Sequence, residues 1–207
     1  MRLDPRTQNM ELSLVYVGAK GAGKRSNLSQ IAAIYGPMAG PMLDVSDADS
    51  EESGSFLQVK LGKISGFRTE AACATLSTEA LERGEGPAML SRADALVLVI
   101  DSRPENLGEN KRMLKALASA LDSLRTSLGE IPTLYQWNHQ DAPGALSPRE
   151  LAEELDPQRA PGVVGLARDG AGVWETHIEA VKAALASVWL RASQPSAGQR
   201  GKEKVRA

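Results

Sequence analysis

Residues 12–24 have the sequence LSLVYVGAKGAGK, and this stretch decides the fold. Residues 12–17 are almost all apolar and rich in β-forming side chains, and the run stops at Gly18, so they predict a buried strand. Over residues 24–35 the apolar side chains recur at helical spacing, which predicts a helix. A strand, a short glycine-rich loop and a helix therefore follow one another directly.

The loop between this strand and this helix matches the pattern Gly-x4-Gly-Lys. Its glycines let the backbone curl so that successive N–H groups point inward at phosphate oxygens. Lys24 supplies a positive charge for the β- and γ-phosphates, and the position between a buried strand and a helix is the right context for the motif. We expect phosphate to be bound by the loop and the first helical residues: Gly18, Gly21, Gly23, Lys24, Arg25 and Ser26.

Arg25 departs from this motif, because the residue after the lysine is normally a serine or threonine. A hydroxyl at that position holds Mg²⁺, whereas a guanidinium cannot ligate a cation and repels one. Ser26 follows one residue too late, since a helix turns it about 100° away. Two interpretations are open: Arg25 points outward and the metal site is weakened, or its charge replaces that of the missing metal.

Strands and helices alternate along the rest of the chain. Residues 56–64 and 67–76 predict a β-hairpin with a two-residue turn, and the unbroken apolar run at 95–100 predicts a central strand buried on both faces. Two further strands are expected at 132–137 and 162–166, and three further helices at 110–128, from Ser147 onward and at 173–190. This order predicts an α/β fold of the P-loop type, a mostly parallel six-stranded sheet with helices on both faces. In such sheets the ligand binds at the carboxyl ends of the strands.

The ends and the longest loop are expected to be less regular than the centre. We expect residues 1–10 to be a loose lead-in, residues 11–191 to form one domain and residues 192–207 to be a flexible basic tail. Residues 36–55 are rich in Gly, Pro, Asp and Ser and predict a long loop, while residues 77–92 are ambiguous.

The composition of the 207 residues excludes several classes of protein. Apolar residues make up 42%, far above the disordered range, and the net charge of −2 argues against nucleic-acid binding. The single cysteine, Cys73, excludes a disulfide framework and is expected in the core. No apolar run reaches the roughly 18 residues of a membrane span, and the first residues lack the apolar stretch of a secretion signal. We therefore expect a cytoplasmic protein.

The aromatic and imidazole side chains of the last predicted helix are expected to be structural. Aromatic residues make up only 4% of the chain, so the core must rest on aliphatic side chains. Trp174 and Trp189 are expected to pack this helix on the sheet. His177 is expected at the surface or in a capping role, and not in catalysis.

Residues 138–141, Asn-His-Gln-Asp, follow the predicted strand 132–137 and resemble the guanine-reading motif Asn-Lys-x-Asp. The carboxylate of Asp141 can accept hydrogen bonds from the N1–H and 2-amino groups of guanine, a donor pair that adenine lacks. Asn138 would tie the base edge to the phosphate loop, and the ring of His139 could stack where the lysine stem normally packs. The alternative is a simple Asn/Asp turn after a strand, but the phosphate loop upstream favours guanine reading.

Five stretches together resemble the Ras-like small GTPases, and above all the bacterial MglA family of polarity and motility regulators. They are residues 15–28, 61–67, 95–102, 136–141 and 166–172. The resemblance covers about residues 10–190 and implies GTP or GDP as the ligand. It also implies that the backbone of Ala167 and Arg168 meets the guanine carbonyl oxygen. The implied partner is a small dimeric roadblock-type regulator or another GTPase-family subunit, contacted through residues 44–60.

The chain departs from this family where hydrolysis takes place. Ser50 and Glu51 stand where the first switch has an arginine and a threonine, and Asp49 with its acidic neighbours would repel a triphosphate unless these are solvated loop charges. Thr78 and Glu79 stand where the second switch has a glycine that senses the γ-phosphate and a glutamine that orients water. The departures imply that Mg²⁺ coordination is impaired and that the chain has no catalytic residue or metal ligand of its own.

Three functions are compatible with these motifs. The first is a pseudo-GTPase that keeps the fold and the nucleotide site and acts as a binding or scaffold module. The second is a working GTP-hydrolysing switch with atypical catalytic residues or with catalysis supplied by a partner. The third, an ATP-dependent phosphotransferase, lacks an arginine-rich lid and a recognisable acceptor site. The loss of three separate hydrolytic features favours the first.

Overall fold

The computed structural model describes residues 2–4, 6–45, 54–155 and 160–193. Within these ranges the chain forms eight strands: β1 (Arg2–Asp4), β2 (Asn9–Gly18), β3 (Leu43–Val45), β4 (Gly54–Ile64), β5 (Phe67–Ser77), β6 (Ala95–Asp101), β7 (Thr133–Asn138) and β8 (Gly162–Gly165). The same ranges contain six α-helices: α1 (Lys24–Tyr35), α2 (Thr78–Glu82), α3 (Gly86–Leu90), α4 (Leu107–Ser123), α5 (Pro148–Leu155) and α6 (Val173–Ser193). The first-switch residues Asp49, Ser50 and Glu51 and the tail from residue 194 onward lie outside the described residues.

The strands form one sheet with the order β3-β4-β5-β2-β6-β7-β8, and β1 is added beside β2. From β5 to β8 all neighbouring strands are parallel, whereas β4 runs antiparallel to β5 as the predicted hairpin requires. The predicted α/β class, with a mostly parallel sheet and helices on both faces, is confirmed. The count of six strands was too low, because β1 and β3 have only three residues each and show no readable period.

The first ten residues differ from the loose lead-in that the sequence suggested. β1 pairs antiparallel with the start of β2, with Arg2 opposite Glu11 and Asp4 opposite Asn9. β2 begins at Asn9 and already buries Met10. Burial alternates along its first half and is continuous in its second half. A search for unbroken apolar runs therefore finds only the second half of this strand.

Two apolar layers hold the sheet between the helices. On one face α1 and α6 pack against Tyr16 and Val97, and on the other α4 and α5 pack against Val17 and Leu98. β6 is buried along its whole length, as expected for a central strand.

Cys73 is fully buried, as predicted, and burial raises the pKa of its thiol to about 12. Of the helices in the described ranges, none has the length and apolar character needed to cross a membrane.

His177 lies in the core, so the expectation of a surface or capping role was wrong. Its ring is fully buried between two tyrosines, with Nδ1 3.3 Å from the Tyr16 hydroxyl and Nε2 3.2 Å from the Tyr35 hydroxyl. The register of α6 turns this position inward, and a lone histidine in a helical pattern does not reveal that register. Trp174 packs on Tyr35 of α1, and Trp189 packs on Phe67 of β5.

The carboxyl ends of the central strands lie side by side at one edge of the sheet. Gly18 at the end of β2 is the register partner of Ser77 at the end of β5. Asn138 at the end of β7 lies between Asp101 of β6 and Gly165 of β8. This edge therefore brings together the glycine loop, the Asn-His-Gln-Asp segment, the loop after β8 and the start of α2.

Candidate functional site

The glycine loop between β2 and α1 needs glycine for conformation and for space. Gly21 and Gly23 have φ angles of 76° and 104°, in the left-handed region that disfavours other residues. A Cβ on Gly23 would lie 2.1 Å from Nδ2 of Asn138, and one on Gly18 would lie 2.6 Å from the carbonyl oxygen of Val99. Gly23 is also the N-cap of α1, and no described side chain caps this helix. The N–H groups of its first turn therefore suit an anion.

Lys24 is the buried charge of the loop, with a relative exposure of 8%. Its Nζ donates hydrogen bonds to the carbonyl oxygens of Gly18 at 2.9 Å and Ala19 at 2.8 Å. These bonds hold the ammonium group against the loop backbone. An anion bound by the loop N–H groups would therefore meet a cation that is already positioned.

Arg25, directly after Lys24, forms an ion pair with a residue of β3. Its guanidinium is 2.8 Å from Oδ2 of Asp44, and the two side chains are 60% and 36% exposed. The Ser55 hydroxyl donates to Oδ1 of the same carboxylate at 2.9 Å. Asp44 on β3 is thus linked both to α1 and to β4. Arg25 is therefore largely exposed and paired with a carboxylate.

The residues at the start of α1 do not fit Mg²⁺. The position that would need a hydroxyl carries Arg25, whose guanidinium is paired with Asp44, and Ser26 follows one position later. Across the described ranges there is no group of three or more His, Cys, Asp or Glu side chains that could hold a metal ion.

Asn138 and His139 connect the end of β7 to the glycine loop. Nδ2 of Asn138 donates to the carbonyl oxygen of Ala22 at 2.7 Å, and its Oδ1 accepts from the N–H of Ala167 at 2.8 Å. Nε2 of His139 donates to the carbonyl oxygen of Gly21 at 3.0 Å. Asn138 therefore bridges the glycine loop and the loop after β8. The His139 ring is fixed by a hydrogen bond to the loop, a contact that the sequence did not predict.

Asp141 and Arg168 face each other beyond this junction. Nη2 of Arg168 is 3.8 Å from Oδ2 of Asp141, while its Nε donates to Asp169 at 3.1 Å. All three side chains are exposed, so the ion pair is weak and a ligand with paired N–H donors can displace it from Asp141. The structure gathers the predicted base-reading residues on one side of the glycine loop: Asn138, His139, Asp141, Ala167 and Arg168.

The second-switch residues Thr78 and Glu79 form the first turn of α2. The Ser77 hydroxyl caps this helix by accepting a backbone N–H at 3.2 Å, and Thr78 is fully buried. The far end of α2 is held to α4 by an ion pair in which Nε of Arg112 donates to Glu82 at 2.8 Å. The segment after β5, ambiguous from sequence, is therefore a capped helix anchored to its neighbour.

Asp101, at the end of β6, is a buried charge for which no site role was predicted from the sequence. Asp101 is 1% exposed, and Arg103 donates to its two carboxylate oxygens through Nε at 2.9 Å and Nη2 at 2.5 Å. Hydrogen bonding to this carboxylate raises the pKa of Arg103. Nη2 of Arg103 lies 3.9 Å from the position that a Cβ on Gly21 would take. The sequence feature that could have identified Asp101 is its position directly after an unbroken apolar strand, at the edge of the sheet where ligands bind.

No family model matches the chain. The Arl6 BBS3 small GTPase from Trypanosoma brucei, solved with the bound nucleotide analogue GppNp, superposes with a TM-score of 0.59 at 20% identity. The match covers 86% of this chain and 99% of that chain, so the fold is that of a small GTPase.

The sequence comparison is more specific. The chain is 28% identical over 175 residues to the mutual gliding-motility protein MglA of Myxococcus xanthus. The similar region covers 82% of this chain and 88% of MglA. The chain therefore has the fold of a small GTPase and is similar to MglA over most of the length of both proteins.

Proposed function

We propose that this chain is a guanine-nucleotide-binding regulatory module in which GTP hydrolysis is weak or absent. The observation that carries the proposal is the contrast between Lys24 and its neighbour Arg25. Lys24 is held against the phosphate loop, whereas Arg25 occupies the metal-ligand position of the family and is paired with Asp44. The phosphate-binding part of the site is retained, and the part that serves Mg²⁺ is not.

Binding of GTP or GDP is supported by the way three loops meet. Asn138 joins the phosphate loop to Ala167, so the candidate base site and phosphate site are fixed relative to each other. The exposed carboxylate of Asp141 suits the N1–H and 2-amino groups of guanine. Adenine lacks that donor pair, so guanine nucleotides are favoured over adenine nucleotides.

Weak hydrolysis is supported by the second switch. Thr78 replaces a glycine and is buried in the first turn of α2. Glu79 replaces a glutamine, and a carboxylate cannot offer the amide donor that helps to orient water. An arginine finger contributes roughly 10³–10⁵ in rate in this class of enzyme, and Ser50 stands at the position aligned with the family's arginine.

A GDP and GTP titration with and without Mg²⁺, followed by a GTP turnover assay, tests the proposal. We expect binding in EDTA and turnover no faster than the protein-free background. Arg25→Thr should increase the Mg²⁺ dependence of binding more than it increases turnover, because it restores the hydroxyl and leaves the second switch unchanged. Arg149→Thr is the matched control, because Arg149 is 88% exposed on α5 and pairs only with Glu153 among the described residues.

The second candidate is a working switch, and the retained contacts of Lys24 and Asn138 favour it. It differs from the proposal in the turnover assay. Turnover similar to that of ordinary small GTPases, abolished by Lys24→Ala, would replace our proposal with this candidate. Turnover that appears only when a purified partner is added would indicate catalysis supplied by that partner.

The similarity to MglA extends the proposal to a cytoplasmic role in bacterial polarity or motility. The partner would be a roadblock-type regulator or another GTPase-family subunit, and no nucleic acid is expected. Contact would involve residues 44–60, of which β4 presents the exposed Lys60. A pull-down with tagged protein, repeated with Lys60→Glu, tests this surface, and equal recovery of the partner would exclude Lys60 from the contact.

A further inference from the structure

Asp101, at the carboxyl end of β6, is a buried carboxylate whose surroundings fix it in one orientation. It accepts hydrogen bonds from the backbone N–H and guanidinium of Arg103 and, at 2.9 Å, from Nδ2 of Asn106. Asn110 binds both the N–H and the carbonyl oxygen of Asp101, at 3.1 and 2.8 Å. Burying a carboxylate is unfavourable unless such partners are present. The direction of the Arg103 side chain is therefore set by the end of a central strand.

This direction brings Arg103 to the glycine loop. Its Nη2 is 3.9 Å from the Cβ position of Gly21, and His139 binds the carbonyl oxygen of the same glycine. Gly21 lies in the part of the loop whose backbone is expected to hold phosphate. Arg103 therefore presents guanidinium N–H donors at the loop, beside the positive charge that Lys24 provides.

We propose that Arg103 binds the phosphates of a nucleoside di- or triphosphate held by the glycine loop, and that Asp101 is the positioning residue that holds it there. The inference rests on the proposed function, because it requires a nucleotide in the loop. A polyphosphate carries many acceptor oxygens, and Arg103 lies beside Gly21 of the glycine loop, although its charge, like that of Arg25, is balanced by a carboxylate. A guanidinium is permanently charged, and its planar donors match phosphate oxygens. Arg103 thus offers directed hydrogen-bond donors to phosphate oxygens, in addition to the charge of Lys24.

Titration of fluorescently labelled GDP in EDTA, at several salt concentrations, tests this role. Arg103→Gln should weaken GDP binding about tenfold and make it less dependent on salt, because one charge contact is lost. Arg103→Gln alone also leaves the Asp101 carboxylate unpaired, so the double variant Asp101→Asn with Arg103→Gln is measured beside it: if only the unpaired carboxylate weakens binding, the double variant should bind like the wild type, whereas loss of a phosphate contact persists in it. Arg103→Lys should recover part of the affinity, since it keeps the charge without the planar donors. Arg149→Gln removes the same charge from an exposed position on α5 and should change neither quantity.

Thermal unfolding monitored by circular dichroism shows whether each variant is folded. If Arg103→Gln unfolds because Asp101 has lost its partner, the double variant Asp101→Asn with Arg103→Gln takes its place, since both side chains are then neutral and can still form hydrogen bonds. GDP binding by the wild type together with unchanged affinity in the folded variant would overturn the role of Arg103 and leave the proposed function standing. No GDP binding by the wild type, with or without Mg²⁺, would overturn both.

Discussion

At the scale of single residues, Lys24 is a buried ammonium group held by the neutral carbonyl oxygens of Gly18 and Ala19. Lys24→Ala should abolish nucleotide binding, because it removes the charge that the loop directs at phosphate. Titration with fluorescent GDP measures the effect. Lys182→Ala is the control, since Lys182 is 64% exposed on α6 and should leave binding unchanged. Undiminished binding by Lys24→Ala would show that the loop does not bind phosphate.

Asp141 is the residue expected to select the base. Asp141→Asn should weaken GDP relative to xanthosine diphosphate, because an amide can donate a hydrogen bond where the carboxylate only accepts. Competition between the two nucleotides measures the change in preference. Asp169→Asn is a matched control, because Asp169 also pairs with Arg168 and the charge change is the same. An unchanged base preference in Asp141→Asn would mean that this segment does not read guanine.

At the scale of elements, a buried polar cluster joins β7 to both helices on one face of the sheet. Gln136 exchanges two hydrogen bonds with Asn27 on α1, at 2.6 and 2.8 Å, and donates to Thr176 on α6 at 3.1 Å. All three side chains are fully buried. A satisfied network of this kind fixes one arrangement of its elements. It therefore holds α1, which opens at the phosphate loop, against the strand that leads to Asn138.

Gln136→Leu should lower the free energy of unfolding by about 1–3 kcal/mol, because Asn27 and Thr176 lose partners inside the core. Urea unfolding followed by circular dichroism measures the difference. Gln58→Leu, on the exposed side of β4, should change the free energy of unfolding by less than about 0.5 kcal/mol. Similar values for the two variants would mean that the buried cluster contributes little to stability.

The longer helices and strands could be predicted because apolar side chains recur along them with the period of the element. α1 has the bounds Lys24–Tyr35 that the helical spacing predicts, and β6 extends its apolar run by one residue to Asp101. α4 was predicted to continue to residue 128 but ends at Ser123, because Arg125 adopts a left-handed conformation with a φ of 56°. The helices α2 and α3 have only five residues each, which is too short to show a helical spacing of apolar side chains.

The site could be predicted only where spacing along the chain is fixed. The glycine loop and Asn138 belong to motifs with set intervals, and the structure brings them into contact. The pairing of Arg25 with Asp44 depends on how β3 lies against α1. The approach of Arg103 to the glycine loop depends on which strand lies beside β2. Such neighbours are set by tertiary packing, which the pattern of residue types does not reveal.

At the scale of the whole molecule, the ring of His177 links the sheet to two helices. It lies between Tyr16 of β2 and Tyr35 of α1, while its own backbone belongs to α6. Burial lowers the pKa of His177 from 6.5 to about 4. The neutral ring is therefore part of the folded core, and protonation must accompany loss of that packing.

This buried ring should make the stability of the protein depend on pH. Between about pH 6.5 and pH 4 the unfolded chain protonates His177 while the folded chain does not, so the unfolded state binds more protons. The free energy of unfolding should therefore decrease as the pH falls through this window, by up to roughly 3 kcal/mol, and the contribution is complete above pH 6.5.

Urea unfolding of the wild type and of His177→Gln at pH 7, 5.5 and 4.5 measures this decrease. The difference between the two proteins isolates the ring, because carboxyl groups such as Glu150, whose pKa is lowered by hydrogen bonds from Ser147, titrate in both. A difference that stays constant over these three pH values would show that the ring is not held neutral in the core.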